Sequence, residues 1–162
     1  MNRKELRESL STYLVPALKD RGFIGPKTIS GNKLLHEFQR SSLKDKQYIF
    51  IQLEKYKGTC FVLNLEHYVM DKEKLYTARV QAKNGSGLRS WFCSEVGLIE
   101  RFFKQKQLSS ESAISFCVKL LPEIDVWFVS HKETNNIINV PVPIKVMKDV
   151  FSKPNNCVNS DG

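Results

Sequence analysis

No apolar run in this chain approaches the roughly 20 residues that a membrane-crossing helix requires, so the sequence offers no span and no membrane partner is expected. Histidines are scarce: His36, His67 and His131 stand far apart, with no HExxH pair and no Cys/His cluster. A zinc site needs three or four converging ligands, and this spacing supplies none, so neither a metal nor a cofactor is expected. The four cysteines, Cys60, Cys93, Cys117 and Cys157, show no CxxC pairing. They read as free thiols in a reducing cytoplasm. The first residues, MNRKELRESLSTYL, carry Glu5 and Glu8 and lack a continuous apolar stretch, which does not match a secretory signal.

Catalytic signatures are missing as well. The stretch NGSGLRS has Gly85 and Gly87, but Ser90 stands where GxGxxG requires its third glycine, and there is no Walker pattern. No GxSxG elbow occurs, and Cys93 in WFCSE reads as a small buried residue. Glu123 and Asp125 flank Ile124, so on a helix they point in different directions and read as solvent-facing charges at a helix start. No catalytic residue is assigned, and the chain is not expected to be an enzyme. The loop amides with Lys83 and Arg89 can still hold an anion, which makes that loop a candidate binding site.

What is present is enough to build a core. A chain of 162 residues with 41% hydrophobic content fits one domain that buries roughly 70% of its unfolded surface. Residues 1–151 read as that domain, and the polar end SKPNNCVNSDG, 152–162, reads as a disordered tail. The net charge of +8 is uneven. Residues 1–57 hold 12 basic against 6 acidic side chains, 58–107 hold 8 against 5, and 108–162 hold 5 against 6. A partner that responds to positive charge should meet the first two thirds.

Leu6, Leu10, Tyr13, Leu14, Ala17 and Leu18 recur at three- and four-residue spacing, which predicts an amphipathic helix from about Arg3 to Arg21. Pro16 should bend or split it, and Gly22 should end it, with Phe23 folding back on the last turn. The segment Ile24–Asn32, with Gly25, Pro26 and Gly31, reads as a loop. Two-residue alternation follows in Leu34, His36 and Phe38, in YIFIQLEKY, in CFVLNLEHY and in Tyr76–Gln81. Short polar turns between these runs predict an antiparallel meander of about four strands. Leu98, Ile99, Phe102 and Phe103 form a helical stripe, and Leu88–Cys93 fits a helix or a strand. Ser109 or Ser110 caps a further helix with Ile114, Cys117, Val118 and Leu121 on one face. Pro122 then opens another helix, in which Ile124, Trp127 and Phe128 keep the same spacing. Pro141 and Pro143 enforce extended backbone, and Ile144–Phe151 reads as a short last helix. The expected class is α+β, the sheet packed against an N-terminal helix and C-terminal helices.

The order of these elements resembles a bacterial family known as domain of unknown function 4304. The likeness rests on LKDRGF (Leu18 to Phe23), YIFIQLEK, FVLNL (Phe61 to Leu65), the segment around Trp91 and the late IDVWF run, and it covers most of residues 6–128. It implies a small cytoplasmic α+β protein without an assigned catalytic residue. Some similar bacterial domains serve as immunity or accessory proteins on mobile elements. No functional residue carries over, because the family pattern names none.

The leading expectation is a non-enzymatic binding module that presents a surface to a protein partner. Nucleic-acid binding through the basic first two thirds is the alternative, since tyrosine or phenylalanine on an open sheet face can stack bases. A third reading is a small-molecule pocket between the sheet and the Pro122 helices, lined by Trp91 and Trp127. Lys83, Arg89, Trp91 and Trp127 are therefore the candidate binding residues.

Overall fold

Leu6, Leu10, Leu14 and Leu18 repeat at every fourth position, and all four are buried in the computed structural model, which describes residues 3–28, 35–53, 60–81, 92–93 and 110–141. In an α-helix four residues turn by about 400°, so a strict fourth-residue repeat drifts by about 40° per step. The chain corrects this drift with one wider turn. Helix α1 (Arg3–Ser9) runs into a π-helical turn (Leu10–Leu14) and then into α2 (Val15–Lys19). The Val15 N–H donates to the Leu10 carbonyl, five residues back. Pro16 is the reason the wide turn sits here: with no N–H, it cannot continue the regular ladder. The proline widens the helix and does not break it. Gly22 (φ 80°) ends the run, and the Phe23 N–H returns to the Leu18 carbonyl at 3.1 Å.

The next segment departs from the sequence reading. Ile24–Thr28 is a strand, β1, where a loop is expected from Gly25 and Pro26. Proline is tolerated because β1 lies at the sheet edge. Gly25 is required because the backbone approaches β2 too closely for a side chain. A Cβ there would lie 2.6 Å from the Glu37 carbonyl oxygen, and φ is 152°. The β1–β2 register shifts between Ile24 and Lys27.

The predicted meander follows as β2 (Leu35–Ser41), β3 (Asp45–Leu53), β4 (Cys60–Val69) and β5 (Lys74–Val80), each antiparallel to its neighbour. About four strands are expected, and the sheet is wider. Its order is β1-β2-β3-β4-β5-β7, with β7 at Ile137–Asn139 and the two-residue β6 (Phe92–Cys93) also pairing with β4. The added strands are short or glycine- and proline-bearing, so their alternation is too brief to read.

One face of the sheet carries Phe38, Ile49, Ile51, Leu53, Phe61, Leu63, Leu65, Ala78, Val80 and Ile137, all buried. The leucine stripe of the N-terminal helix joins them in a single core with Ala113, Ile114, Cys117, Leu120, Leu121, Ile124, Trp127 and Phe128. Those residues come from α3 (Ser110–Lys119) and α4 (Leu121–Ser130), joined at Leu120. Pro122 lies in the first turn of α4, where its missing N–H costs nothing. The helix starts one residue before the proline and ends at His131, a left-handed residue whose N–H donates to the Trp127 carbonyl at 2.7 Å. The α+β class stands. The stripe from Leu98 to Phe103, the KNGSG loop, Ile144–Phe151 and the tail 152–162 lie outside the described residues.

Candidate functional site

Trp127 is fully buried, and its indole N–H donates to Asn139 Oδ1 at 2.9 Å. Leu121, Ile124 and Phe128 around it are 2% exposed or less, so these described residues fill the space between the sheet and α4. The region in which sequence placed a pocket is therefore solid at Trp127. Lys83, Arg89 and Trp91 lie outside the described residues.

The acidic pair also behaves differently from its sequence reading. Asp125 is half-buried and paired. It accepts from Arg21 Nη1 and, at 2.9 Å, from Arg40 Nη2. Arg40 in turn lies 4.4 Å from the centre of the Phe23 ring and donates to the Arg21 carbonyl. Glu123 accepts from Thr134 Oγ1 and from Asn136 Nδ2, which ties the start of α4 to the turn before β7. Both carboxylates are structural: they fasten α4 to the sheet layer.

A cavity of about 320 Å³ lies instead between the N-terminal helix and the β1–β3 end of the sheet. Its floor is Leu10, Phe38 and Ile51, all buried. Val15 and His36 form half-buried walls, and Arg7, Ser11 and Pro26 make an exposed rim. The π-helical turn contributes Leu10 and Ser11 to its lining. Turns of this kind occur frequently at functional sites. Among the described residues, no carboxylate lines it. A more open groove on the other side of Arg7 and Ser11 adds Lys4, Glu8 and Thr12, with Glu8 paired to Lys4 at 3.8 Å. His36 is held below its ordinary imidazole value, first by burial and then by the Arg7 charge. It therefore stands neutral at the cavity wall, in a positive field. Sequence reasoning missed Arg7, Ser11 and His36 because they come from two distant elements. The only local signal was a proline inside an amphipathic stripe.

A second polar constellation lies at the other end of the sheet. His67 on β4 is 4% exposed, and its Nδ1 lies 2.7 Å from Nε2 of His131. His67 Nε2 faces Asp45 Oδ2 at 3.5 Å, an ion-pair distance too long for a well-formed hydrogen bond, which leaves that nitrogen without a hydrogen-bond partner. Tyr76 stacks on His131 with ring centres 3.6 Å apart, and Lys74 lies over the other part of this layer at 4.7 Å from the Tyr76 ring. Burial lowers the pKa of both imidazoles. Among the described residues, no group of three His, Cys, Asp or Glu side chains is placed to hold a metal ion.

The cysteine reading needs one correction. Cys117 is free and buried, and burial pushes its thiol far up. Cys60, by contrast, is disulfide-bonded. In the β4–β6 register the residue opposite Cys60 is Cys93. Sequence spacing hides this because the two strands are 33 residues apart and meet only through the sheet.

Among the described residues no helix is long and apolar enough to cross a membrane. No protein-family model matches the chain, and comparison with curated proteins and with solved structures returns no match.

Proposed function

We propose that the protein is a non-enzymatic binding module whose ligand site is the cavity beneath the N-terminal helix. The observation that carries this reading is the cavity itself: an apolar, buried floor under a wide helical turn, with three polar side chains at its wall and rim. Its volume sits at the lower end of the roughly 300–1,000 Å³ typical of small-molecule sites. The family that the sequence resembles names no functional residue, and the cavity geometry is what supports a ligand site. The test is a methyl-detected NMR titration with a small apolar alcohol such as octanol. Shifts concentrated at Leu10, Val15 and Ile51, and lost in Val15→Trp, which fills the cavity, are the expected result. Shifts confined to methyls elsewhere would sink the reading.

A macromolecular partner is the second reading, and one surface favours it. Val126 and Val129, neighbours on α4, are 60% and 84% exposed. Native pull-downs that recover a partner with the wild type but not with Val129→Glu would support it, and recovery unaffected by that change would count against it. The nucleic-acid reading has less support. The outer sheet face does bring Tyr48 and Phe50 into a stacked pair, with ring centres 6.0 Å apart. Glu37 and Glu66 share that face with Lys27, Lys46 and Arg79, and the two carboxylates add to burial in raising the Tyr48 pKa, so the face carries both signs of charge and not a basic surface.

A further inference from the structure

We propose that the His67–His131 contact is an acid-operated latch: it holds β7 on the edge of β5 and releases it, ahead of the rest of the fold, when both rings are protonated. The latch lies at the other end of the sheet from the cavity and does not depend on it.

A chain of contacts leads from the two rings to β7. His67 is buried on β4, and His131, just beyond α4, meets it ring to ring at 2.7 Å. Tyr76 of β5 stacks on His131, with ring centres 3.6 Å apart and planes within 6° of parallel. His131 also ends α4 in the left-handed conformation (φ 54°), which a residue with a side chain holds against its own preference. In that conformation its carbonyl accepts from Asn139 Nδ2 at 3.1 Å, and Asn139 Oδ1 accepts from the buried Trp127 indole. Asn139 belongs to β7, which pairs with Ala78, Arg79 and Val80 of β5. Two further bonds flank this short strand: the Gln81 N–H donates to the Asn136 carbonyl at 2.7 Å, and the Val140 N–H to the Thr77 carbonyl at 3.0 Å.

Protonation acts on this chain in two steps. One proton is tolerated. A His67 imidazolium donates from Nδ1 to a neutral His131, and its Nε2 faces Asp45 Oδ2 at 3.5 Å. A second proton is not, because two imidazolium rings have no acceptor between them and repel across 2.7 Å. Burial opposes charge on both rings, and α4 sets Phe128 against His67 and Trp127 against His131, rings that do little to solvate a cation. Asp45 of β3 favours charge on His67 and Arg40 of β2 opposes it, while Lys74 of β5 and Lys72 before it oppose charge on His131. Acid therefore drives the rings apart, and the His131 carbonyl that Asn139 grips leaves with its ring.

Amide hydrogen exchange followed by NMR tests the latch, each rate being divided by the intrinsic rate at the same pH. Gln81 and Val140 report on β7, and amides of the β3–β4 ladder report on the rest of the sheet. Opening takes up as many as two protons, so protection at Gln81 and Val140 should fall on the order of tenfold to a hundredfold between about pH 7.5 and about pH 5.5. It should also stay below that of the β3–β4 amides and be insensitive to low urea, the mark of an opening that exposes little surface. In His131→Phe, which keeps a ring against Tyr76, the same two amides should be equally protected at both pH values. Protection in the wild type that does not change with pH overturns the latch, and so does a protection and urea dependence shared with the β3–β4 amides. Both of those measurements need no variant. A fall that persists in His131→Phe overturns it as well, by assigning the opening to other groups.

Discussion

His67 Nδ1 and His131 Nε2 face each other at 2.7 Å, a direct imidazole–imidazole hydrogen bond between the sheet and the residue that ends α4. One ring must donate and the other accept, so the pair is satisfied with both imidazoles neutral. Asp45 beside His67 Nε2 favours the proton there, which leaves Nδ1 to accept from His131.

This bond makes stability depend on pH. Burial is the largest cause that lowers both pKa values. His131 is further opposed by the charges of His67, Lys74 and Lys72, and His67 by Arg40, while Asp45 works the other way. The unfolded chain therefore takes up protons at a higher pH than the folded one. Stability is fully present above the ordinary imidazole value of 6.5 and is lost as pH falls below it toward the lowered folded values. Urea midpoints measured on either side of that pH should show the loss. His131→Phe, which keeps a ring on Tyr76 but removes one titrating site, should give a flatter profile with about 1–2 kcal/mol less stability at neutral pH. An equally steep profile in that variant would assign the pH dependence to other groups.

Gly25→Ala is expected to destabilise by about 1–3 kcal/mol, from the unfavourable backbone conformation and the forced retreat of β1 from β2. The added Cβ would lie 2.6 Å from a backbone oxygen, and a carbonyl in a paired strand has little room to yield. Chemical denaturation measures this directly. A stability within error of the wild type would show that β1 is not held as described.

Asp125→Ala leaves Arg21 and Arg40 without their shared carboxylate. All three side chains are about one third exposed, at 33%, 29% and 30% for Arg21, Arg40 and Asp125, so solvent screens part of the loss. About 1–2 kcal/mol is expected, between the values for surface and buried pairs. In a double-mutant cycle Asp125→Ala and Arg40→Leu should be non-additive, because they remove the same contact. Additive losses would mean that the pair does not tie α4 to β2.

Alkylation of the unfolded, unreduced protein should leave Cys60 unmodified and label Cys117, since only the latter is a free thiol. In the native protein Cys117 should resist the same reagent, because it is fully buried and its thiolate is disfavoured. Labelling of Cys60 before reduction would contradict the disulfide.

The sequence alone determined what local periodicity can encode. Four strands with clean alternation, β2 to β5, and two helices joined near Pro122 were legible because each buries one regular face. Trp127 also proved to be core, as its spacing with Ile124 and Phe128 indicates. Strands β1 and β7 were not legible. One has its pattern broken by Gly25 and Pro26, and the other has three residues, too few to alternate.

Only the tertiary structure decided the rest. Arg7 and His36 lie 29 positions apart, and His67 and His131 lie 64 apart. No periodicity links such pairs, because chain reversals through the sheet bring them together. The π-helical turn shows both levels acting together. Pro16 is visible in the sequence and removes one hydrogen-bond donor. Whether the helix then kinks, splits or widens is settled by the requirement that Leu6, Leu10, Leu14 and Leu18 all reach one core. Widening keeps the four leucines on one side, and the same turn supplies Leu10 and Ser11 to the cavity lining.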